Sequence, residues 1–394
     1  MKGGYHLASI KQNKKTGLYE VRYDAGFDGE GKRIQKYKGG FKRKKDAQDF
    51  LADQLSKINH GTYIEPAKMF LFEYLDRWLA EKKPDISPTT YSGYEINIRC
   101  HIKPFLGGIR LQELKPAHIR QLYTVLKQDR EVKFKDGKKD FKALSNTSVR
   151  YVHRVLSKAL EDAFMEETIP KNPAKLVKPP SKEKFEAGFL TASQIRQMLN
   201  TFRDKEDDMY IPVMLSVLLG LRRGETLGLQ WKDINFDEKL VKIRSNYIMV
   251  EGEPTLREKT KTDSSRRNII VTDRIIQELK AHRLYQKKRQ AKLGPVYHKN
   301  DFVCTWSDGQ PFNPTHVSRN FSYRMKKYKM PQIRFHDLRH SNAALMILQN
   351  ANMKGASDRL GHSTIQITND LYGHVERSVQ EQIAQQIDDA IWGS

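Results

Sequence analysis

Four prolines set among lysines, from Pro170 to Lys184 (PKNPAKLVKPPSKEK), limit this chain more than any other stretch. Proline fixes φ, offers no N–H and pushes the preceding residue out of the helical region, so neither a helix nor a sheet ladder runs through. The chain must therefore fold as separate bodies. A tether rich in Pro and Lys is semi-rigid and solvated, which predicts a linker over 170–186 with no fold of its own. The 394 residues leave room for two or three domains.

Before the break, apolar stripes recur at helical spacing. Phe70, Tyr74, Trp78 and Leu79 form one, Ile119, Leu122, Tyr123 and Leu126 another, and Val149, Val152, Leu156, Leu160 and Phe164 a third. Residues 66–169 are predicted to be an all-α bundle, with the charged, Gly137-containing stretch Asp129 to Leu144 as an exposed loop or ribbon. Residues 1–63 differ. Tyr19 to Tyr23 alternates as a strand, Gly26 to Gly31 reads as a hairpin turn, and Arg33 to Tyr37 follows as the second strand. Ala47, Phe50, Leu51, Gln54, Leu55 and Ile58 then keep helical spacing, so this module is a small β-sheet with a helix packed on it.

Beyond the break, Thr191-Ala192-Ser193-Gln194 matches a capping box, and Met209 to Leu219 is apolar enough for a buried helix. Leu240 to Val250 alternates as a single strand and Asn268 to Val271 as its partner, which sets Lys261 at the tip of the intervening hairpin. The expectation for 187–394 is a mainly α domain with a small β-sheet. The whole chain is then a multidomain α+β protein.

Charge narrows the partner. Seventy Lys and Arg against 47 Asp and Glu leave +23, which points to a polyanion, nucleic acid above all, against the alternative of a basic protein that is merely soluble. Aromatics interleaved with cations in the first module make Arg22, Tyr23, Lys36, Lys42 and Arg43 candidates for a DNA-facing sheet. Arg99, Arg150 and Arg154 are the candidates on the bundle, and taken singly each reads more readily as a plain surface charge. The longest apolar run, Val213 to Leu221, falls far short of the roughly 20 residues that span a bilayer. No signal-peptide apolar region follows Met1, and Cys100 and Cys304 do not form a disulfide framework. A cytoplasmic protein with no membrane association is expected.

The chemistry gathers between Phe335 and Val375, where FHDLRH and LGHSTIQITNDLYGHV bring His336, Arg339, His340, His362, Tyr372 and His374 together in sequence. HxxRH lacks the carboxylate that an HExxH zinc hydrolase uses as base, and the cysteines are remote, so no metal-ligand spacing accounts for the set. It supplies positive charge, hydrogen-bond donors and a phenol, which suits a phosphodiester. Upstream, GLRRGE flanks two arginines with glycines. Such a pair either presents a planar fork to a phosphate or simply ties Arg223 to Glu225.

GLRRGE, then KTDSSRR leading into a strand, then HDLRH, then LGHSTIQITNDLYGHV, in that order, resembles the catalytic domain of tyrosine recombinases, in particular phage and integrative-element integrases. The family's layout resembles the whole chain: an arm-type DNA-binding domain over 1–63, a core-binding, SAM-like helical domain over 66–169, and a catalytic domain over 187–394. The resemblance implies that Arg222 and Arg339 clamp the scissile phosphate, Lys261 protonates the leaving 5′-oxygen, His336 does acid/base work on the tyrosine, and His362 bonds a non-bridging oxygen. Tyr372 would be the nucleophile and Glu225 a supporting residue. Leu219 stands where a threonine is frequent, and Asn369 and Leu371 are less usual neighbours of the tyrosine; none removes a functional group.

These roles agree with elementary chemistry. A phenol with pKa near 10 is phenolate in only on the order of one molecule in a thousand at pH 7, so attack needs a base or strong positive potential. A 3′-phosphotyrosine conserves bond energy, so rejoining needs neither ATP nor metal, and no cofactor is expected. The resemblance further implies double-stranded DNA with core-type and arm-type attachment sites, a homotetramer on DNA through the C-terminal segment, and an excision factor or host DNA-bending protein as accessory partners. Val375, Val379, Ile383, Ile387 and Ile391 predict a C-terminal amphipathic helix that docks either on its own domain or on a neighbouring subunit. Two rivals share the basic charge. A non-catalytic DNA-binding regulator has no need of Lys261, His336 and Tyr372 together, and a type IB topoisomerase has no need of a second DNA-binding module.

Overall fold

The first module is an antiparallel sheet in the order β1 (Ala8–Gln12), β2 (Tyr19–Phe27), β3 (Arg33–Phe41), with α1 (Lys44–Asn59) against one face. The computed structural model describes residues 8–27, 32–59, 68–128, 131–133, 139–141, 143–181, 188–258 and 266–361, together with Asp388 and Trp392. It divides into two units, Met1–Glu183 and Lys184–Ser394. In the sheet, Val21 and Tyr23 are buried against Ala47, with Ile10, Phe41, Phe50, Leu51 and Ile58 packed around them. Alternation along β2 leaves Arg22 on the opposite face, paired across the strands with Tyr37.

The helical body of the same unit contains α2 (Leu71–Lys82), α3 (Pro88–Asn97), α4 (Lys103–Leu106), α5 (Pro116–Leu126) and α6 (Asn146–Met165). Its core draws on all three predicted stripes, and fully burying each Leu or Val contributes about 1.5–3 kcal/mol. Two stripe ends differ from expectation. Phe70 is the N-cap of α2 and 37% exposed, the buried face starting instead at Leu71, while Phe164 is 41% exposed and Ala163 occupies the inward position. A period of 3.6 drifts across a long helix, so the last apolar residue of a stripe need not face inward. Polar atoms fasten α2 to α6: Tyr74 Oη donates to the Ala159 carbonyl at 2.9 Å and Trp78 Nε1 to Asp162 Oδ2 at 2.8 Å. The stretch Asp129 to Leu144 includes a two-stranded ribbon, β4 (Glu131–Lys133) with β5 (Lys139–Phe141).

The Pro-rich tether departs from its prediction. Pro173–Leu176 forms a 3₁₀ turn, with Ala174 and Val177 in the bundle core. Asn172 Nδ2 donates to the Ser157 carbonyl at 3.0 Å and to Glu161 at 2.9 Å, and Arg150 Nη1 to the Pro180 carbonyl at 2.8 Å. Prolines forbid helical continuation but not burial. The two apolar residues Ala174 and Val177, unremarkable in sequence, anchor this strip together with those hydrogen bonds.

The second unit packs α7 (Ala192–Asp204), α8 (Tyr210–Leu219), α9 (Arg223–Gly228), α10 (Asp273–Leu293), α11 (Pro314–Lys327), α12 (Asp337–Leu348) and α13 (Met353–Leu360) with short strands. The predicted capping box at Thr191 and Gln194 is present in full. The single strand predicted over 240–250 is two. Strand β7 (Leu240–Ile243) lies between β6 (Ile234–Asn235) and β10 (Arg267–Ile270), whereas β8 (Ser245–Val250) pairs with β9 (Glu253–Glu258). The β8–β9 hairpin turns at Glu251 and Gly252, both with positive φ, as a two-residue primed turn requires. The hairpin tip predicted at Lys261 falls in 259–265, outside the described residues.

Candidate active site

The site is built where the ends of five elements of the second unit meet. Helix α8 ends at Gly220 in the left-handed region, φ +67. A Cβ there would stand 2.5 Å from Leu360 Cδ2 and 2.7 Å from Asn342 Oδ1, so a side chain would have to displace both in a backbone conformation that glycine adopts freely. The turn delivers Arg222 to the N-cap of α9. Asn342 on α12 donates to the Val217 and Leu218 carbonyls at 2.9 and 3.2 Å, which satisfies unpaired acceptors at the end of α8 and seats α12 against it.

Arg339, one turn into α12, is 3% exposed, and its Nη1 donates to the Gly220 carbonyl at 2.6 Å. Its Nη2 is buried with no hydrogen-bond partner among the described residues. Burial, and then the nearby Arg222 guanidinium, lower its pKa to about 9, which still leaves it protonated at neutral pH. A buried guanidinium with an unused donor is costly unless an anion comes to meet it.

Arg222 is held on two sides. Nη1 donates to Glu225 Oε1 at 2.9 Å and Nη2 to the Gly361 carbonyl at 2.6 Å, while 38% of the side chain remains exposed. Glu225 is fully buried and also accepts from Arg267, at 2.7 Å to Nη2 and 3.2 Å to Nη1. The Arg223–Glu225 tie considered from sequence is not what forms: Arg223 Nη1 donates to Ser318 Oγ at 3.0 Å.

His336 occupies the N-cap position of α12 without a side-chain capping bond, its ring 4.9 Å from that of His340, edge to face. The ring's partial burial, followed by His340 and Arg339, pushes its pKa below the ordinary value. The residue as a whole is exposed and its ring keeps part of its hydration, and the imidazole is neutral at pH 7, able to accept a proton. Asp337 beside it is spoken for. Burial would raise its pKa, but three hydrogen bonds from Arg334 at 2.7–3.0 Å outweigh that and keep it ionised.

Of the seven predicted site residues, Arg222, Glu225, His336 and Arg339 are thus gathered around the α8–α9 and α12 junction; Lys261, His362 and Tyr372 lie outside the described residues, as do Val375 to Ile391 of the C-terminal stripe. Arg267 and Asn342 were missed. The second arginine of SSRR at the head of a strand was the available signal for the first; nothing local marks the second. Among the described residues no group of three or more His, Cys, Asp or Glu is placed to hold a metal ion. A cavity of about 310 Å³ lined by Asp207, Tyr210, His282 and Trp306 includes neither Arg222 nor Arg339.

The predicted DNA contacts divide. Arg22 lies on the open face of the first sheet, 5.8 Å from the Tyr37 ring, and Tyr37 is 56% exposed. Tyr23 is a correction: it is 5% exposed and its hydroxyl turns to Gln54 under α1, because it alternates with Arg22. Lys36, paired across the strands with Tyr23, shares that covered side. Lys42 and Arg43 are exposed, Arg43 gripping Asp46 at 2.7 Å. On the bundle, Arg99 pairs with Glu95 at 3.0 Å, Arg150 anchors Pro180, and Arg154 lies over the Tyr151 ring at 5.8 Å. Arg150, Arg154, His153, Lys158 and Lys175 line one groove on α6.

Comparison with known proteins follows the same divisions. The phage integrase family profile matches residues 188–378, the phage integrase N-terminal SAM-like domain 70–126, and the arm DNA-binding domain 9–58. A XerC-like tyrosine recombinase from Caldanaerobacter subterraneus is 28% identical, covering 93% of this chain and 94% of its own. The ICEBs1 integrase of Bacillus subtilis is 25% identical, covering 96% and 98%. The Tn1549 transposon integrase, solved in complex with transposon right end DNA, superposes with a TM-score of 0.65 at 20% identity over 80% of this chain and 100% of that one. Among the described residues no helix is long and apolar enough to cross a membrane. The chain belongs to the tyrosine recombinases of the phage integrase family, enzymes that cleave and rejoin DNA site-specifically.

Proposed function

We propose that this recombinase integrates and excises a mobile element through a 3′-phosphotyrosine intermediate formed by Tyr372. Arg222 and Arg339 hold the non-bridging oxygens of the scissile phosphate, and His362 bonds one of them. Tyr372 Oη attacks phosphorus while its proton passes to the neutral His336. The P–O5′ bond breaks, and Lys261 gives the 5′-oxygen its proton. Attack by the 5′-hydroxyl of another strand reverses the sequence, so the phosphodiester is rebuilt without an external energy source. As phosphorus becomes five-coordinate, charge builds on its equatorial oxygens, and each donor fixed in advance is worth roughly 3–4 kcal/mol there.

The observation that carries this reading is Arg339, a buried guanidinium with one nitrogen on Gly220 and another unpartnered among the described residues, beside a half-exposed Arg222. The three-domain division at 1–63, 66–169 and 187–394 belongs to the same reading. Its substrates are duplexes with core-type and arm-type sites, its working assembly is a tetramer joined through the C-terminal segment, and an excision factor or host DNA-bending protein sets direction, in the cytoplasm. A nicked suicide duplex spanning the element junction tests the chemistry. Wild type should give a detergent-resistant protein–DNA adduct that Tyr372→Phe does not form; binding without an adduct from either protein would favour a non-catalytic regulator.

A further inference from the structure

Both groups that hold the Arg222 guanidinium rest in turn on a residue to which no role has so far been given. Arg267, at the head of β10, has a side chain only 7% exposed and grips both oxygens of Glu225. Its Nε donates to the Arg359 carbonyl at 2.7 Å, at the end of α13. It also lies directly beneath Gly361, whose carbonyl is the second partner of Arg222: a Cβ there would come within 3.0 Å of Arg267 Nη1, and φ at Gly361 is +66.

Charge sharpens the point. A single buried carboxylate paired with Arg222 alone makes a neutral couple, which offers a phosphate little attraction. With Arg267 on the same carboxylate, the three groups together carry one net positive charge, and that charge is displayed by the only one of them that is substantially exposed, Arg222.

We propose that Arg267 is a positioning residue of the cleavage site: it neutralises Glu225 and fixes Glu225 and the Gly361 turn, so that the charge of Arg222 stays available to the scissile phosphate. This rests on the reading that Arg222 holds that phosphate. Among the described residues the Arg267 side chain bonds only Glu225 and the Arg359 carbonyl. Its contribution is to the charge and aim of its neighbour.

The test is single-turnover adduct formation at saturating DNA, on the suicide duplex and on the same duplex with a methylphosphonate, neutral at the scissile position. Arg267→Met should slow the phosphate reaction on the order of 10- to 100-fold, and the deficit should shrink to a few-fold on the neutral substrate. Adding Glu225→Gln to Arg267→Met should recover part of the rate, because the carboxylate then no longer cancels Arg222. Arg267→Lys, which keeps the charge but not the two-point grip, should fall between, and serves if the Met variant folds poorly. Wild-type speed in Arg267→Met, or an equal deficit on both substrates with no recovery in the double variant, overturns the proposal. An absence of adduct from wild type would instead sink the phosphotyrosine reading itself.

Discussion

Two cationic surfaces of this protein are built on opposite terms. Around Gly220 the arginines are buried or half-buried and tied down: Arg339 to a carbonyl, Arg222 to Glu225 and Gly361, Arg267 to Glu225 and Arg359. On the open face of the first sheet, Arg22 and Tyr37 stand exposed, Arg22 5.8 Å from the Tyr37 ring and the Tyr37 hydroxyl bonded to the partly exposed Glu20. Cations that must stabilise charge developing on one phosphate have to be aimed before the substrate arrives, which takes desolvation and fixed partners. Cations that merely follow a backbone gain from displaced counterions, and position matters little.

The sharpest way to break the contrast is Arg339→Ala. It removes a fixed donor and leaves the Gly220 carbonyl without its partner, so single-turnover cleavage should fall on the order of 10²- to 10³-fold with duplex binding little changed. A loss confined to binding would put Arg339 with the loose cations.

The pH profile has a smaller effect and a defined sign. The folded pKa of His336 lies below its ordinary value of 6.5. The neutral form, and the stability it carries, is complete above about pH 6.5 and is lost as pH falls through the folded value. Cleavage by wild type should therefore hold level from about pH 8 to about pH 6.5 and decline only below that. A decline that sets in above about pH 6.5 and disappears in His336→Gln would contradict a depressed pKa.

Smallest of all should be Arg22→Ala. Affinity for arm-type duplex should drop a few-fold, the slope of log affinity against log salt should lessen by about 1, and thermal stability should stay within about 0.5 kcal/mol. A change in cleavage of a core-type duplex lacking arm sites would show that the two surfaces are not independent.

Much of the architecture was legible beforehand because it rests on local periodicity: the three helical stripes, the β2–β3 pair, the buried α8 and the cap at Thr191 all follow from spacing within one element. The errors came where a neighbour decides. Tyr23 and Tyr37 sit in similar basic, aromatic strands, and only the side on which α1 packs makes one core and the other surface. The β7–β8 division, with β9 as an extra strand, depends on which strands find partners, since an alternating run reads the same in either sheet.

The sequence by itself determined the order of the modules, their secondary structure in outline and the residue types available to a phosphodiester, since these are properties of composition and spacing along the chain. Only the tertiary structure decided that Glu225 serves Arg222 and Arg267 rather than Arg223, that Arg339 keeps a nitrogen unpartnered among the described residues, and that Ala174 and Val177 bind the proline strip to the bundle. Those outcomes depend on groups tens to more than a hundred residues apart competing for the same buried acceptors and apolar space, and that competition is settled only when the chain closes on itself.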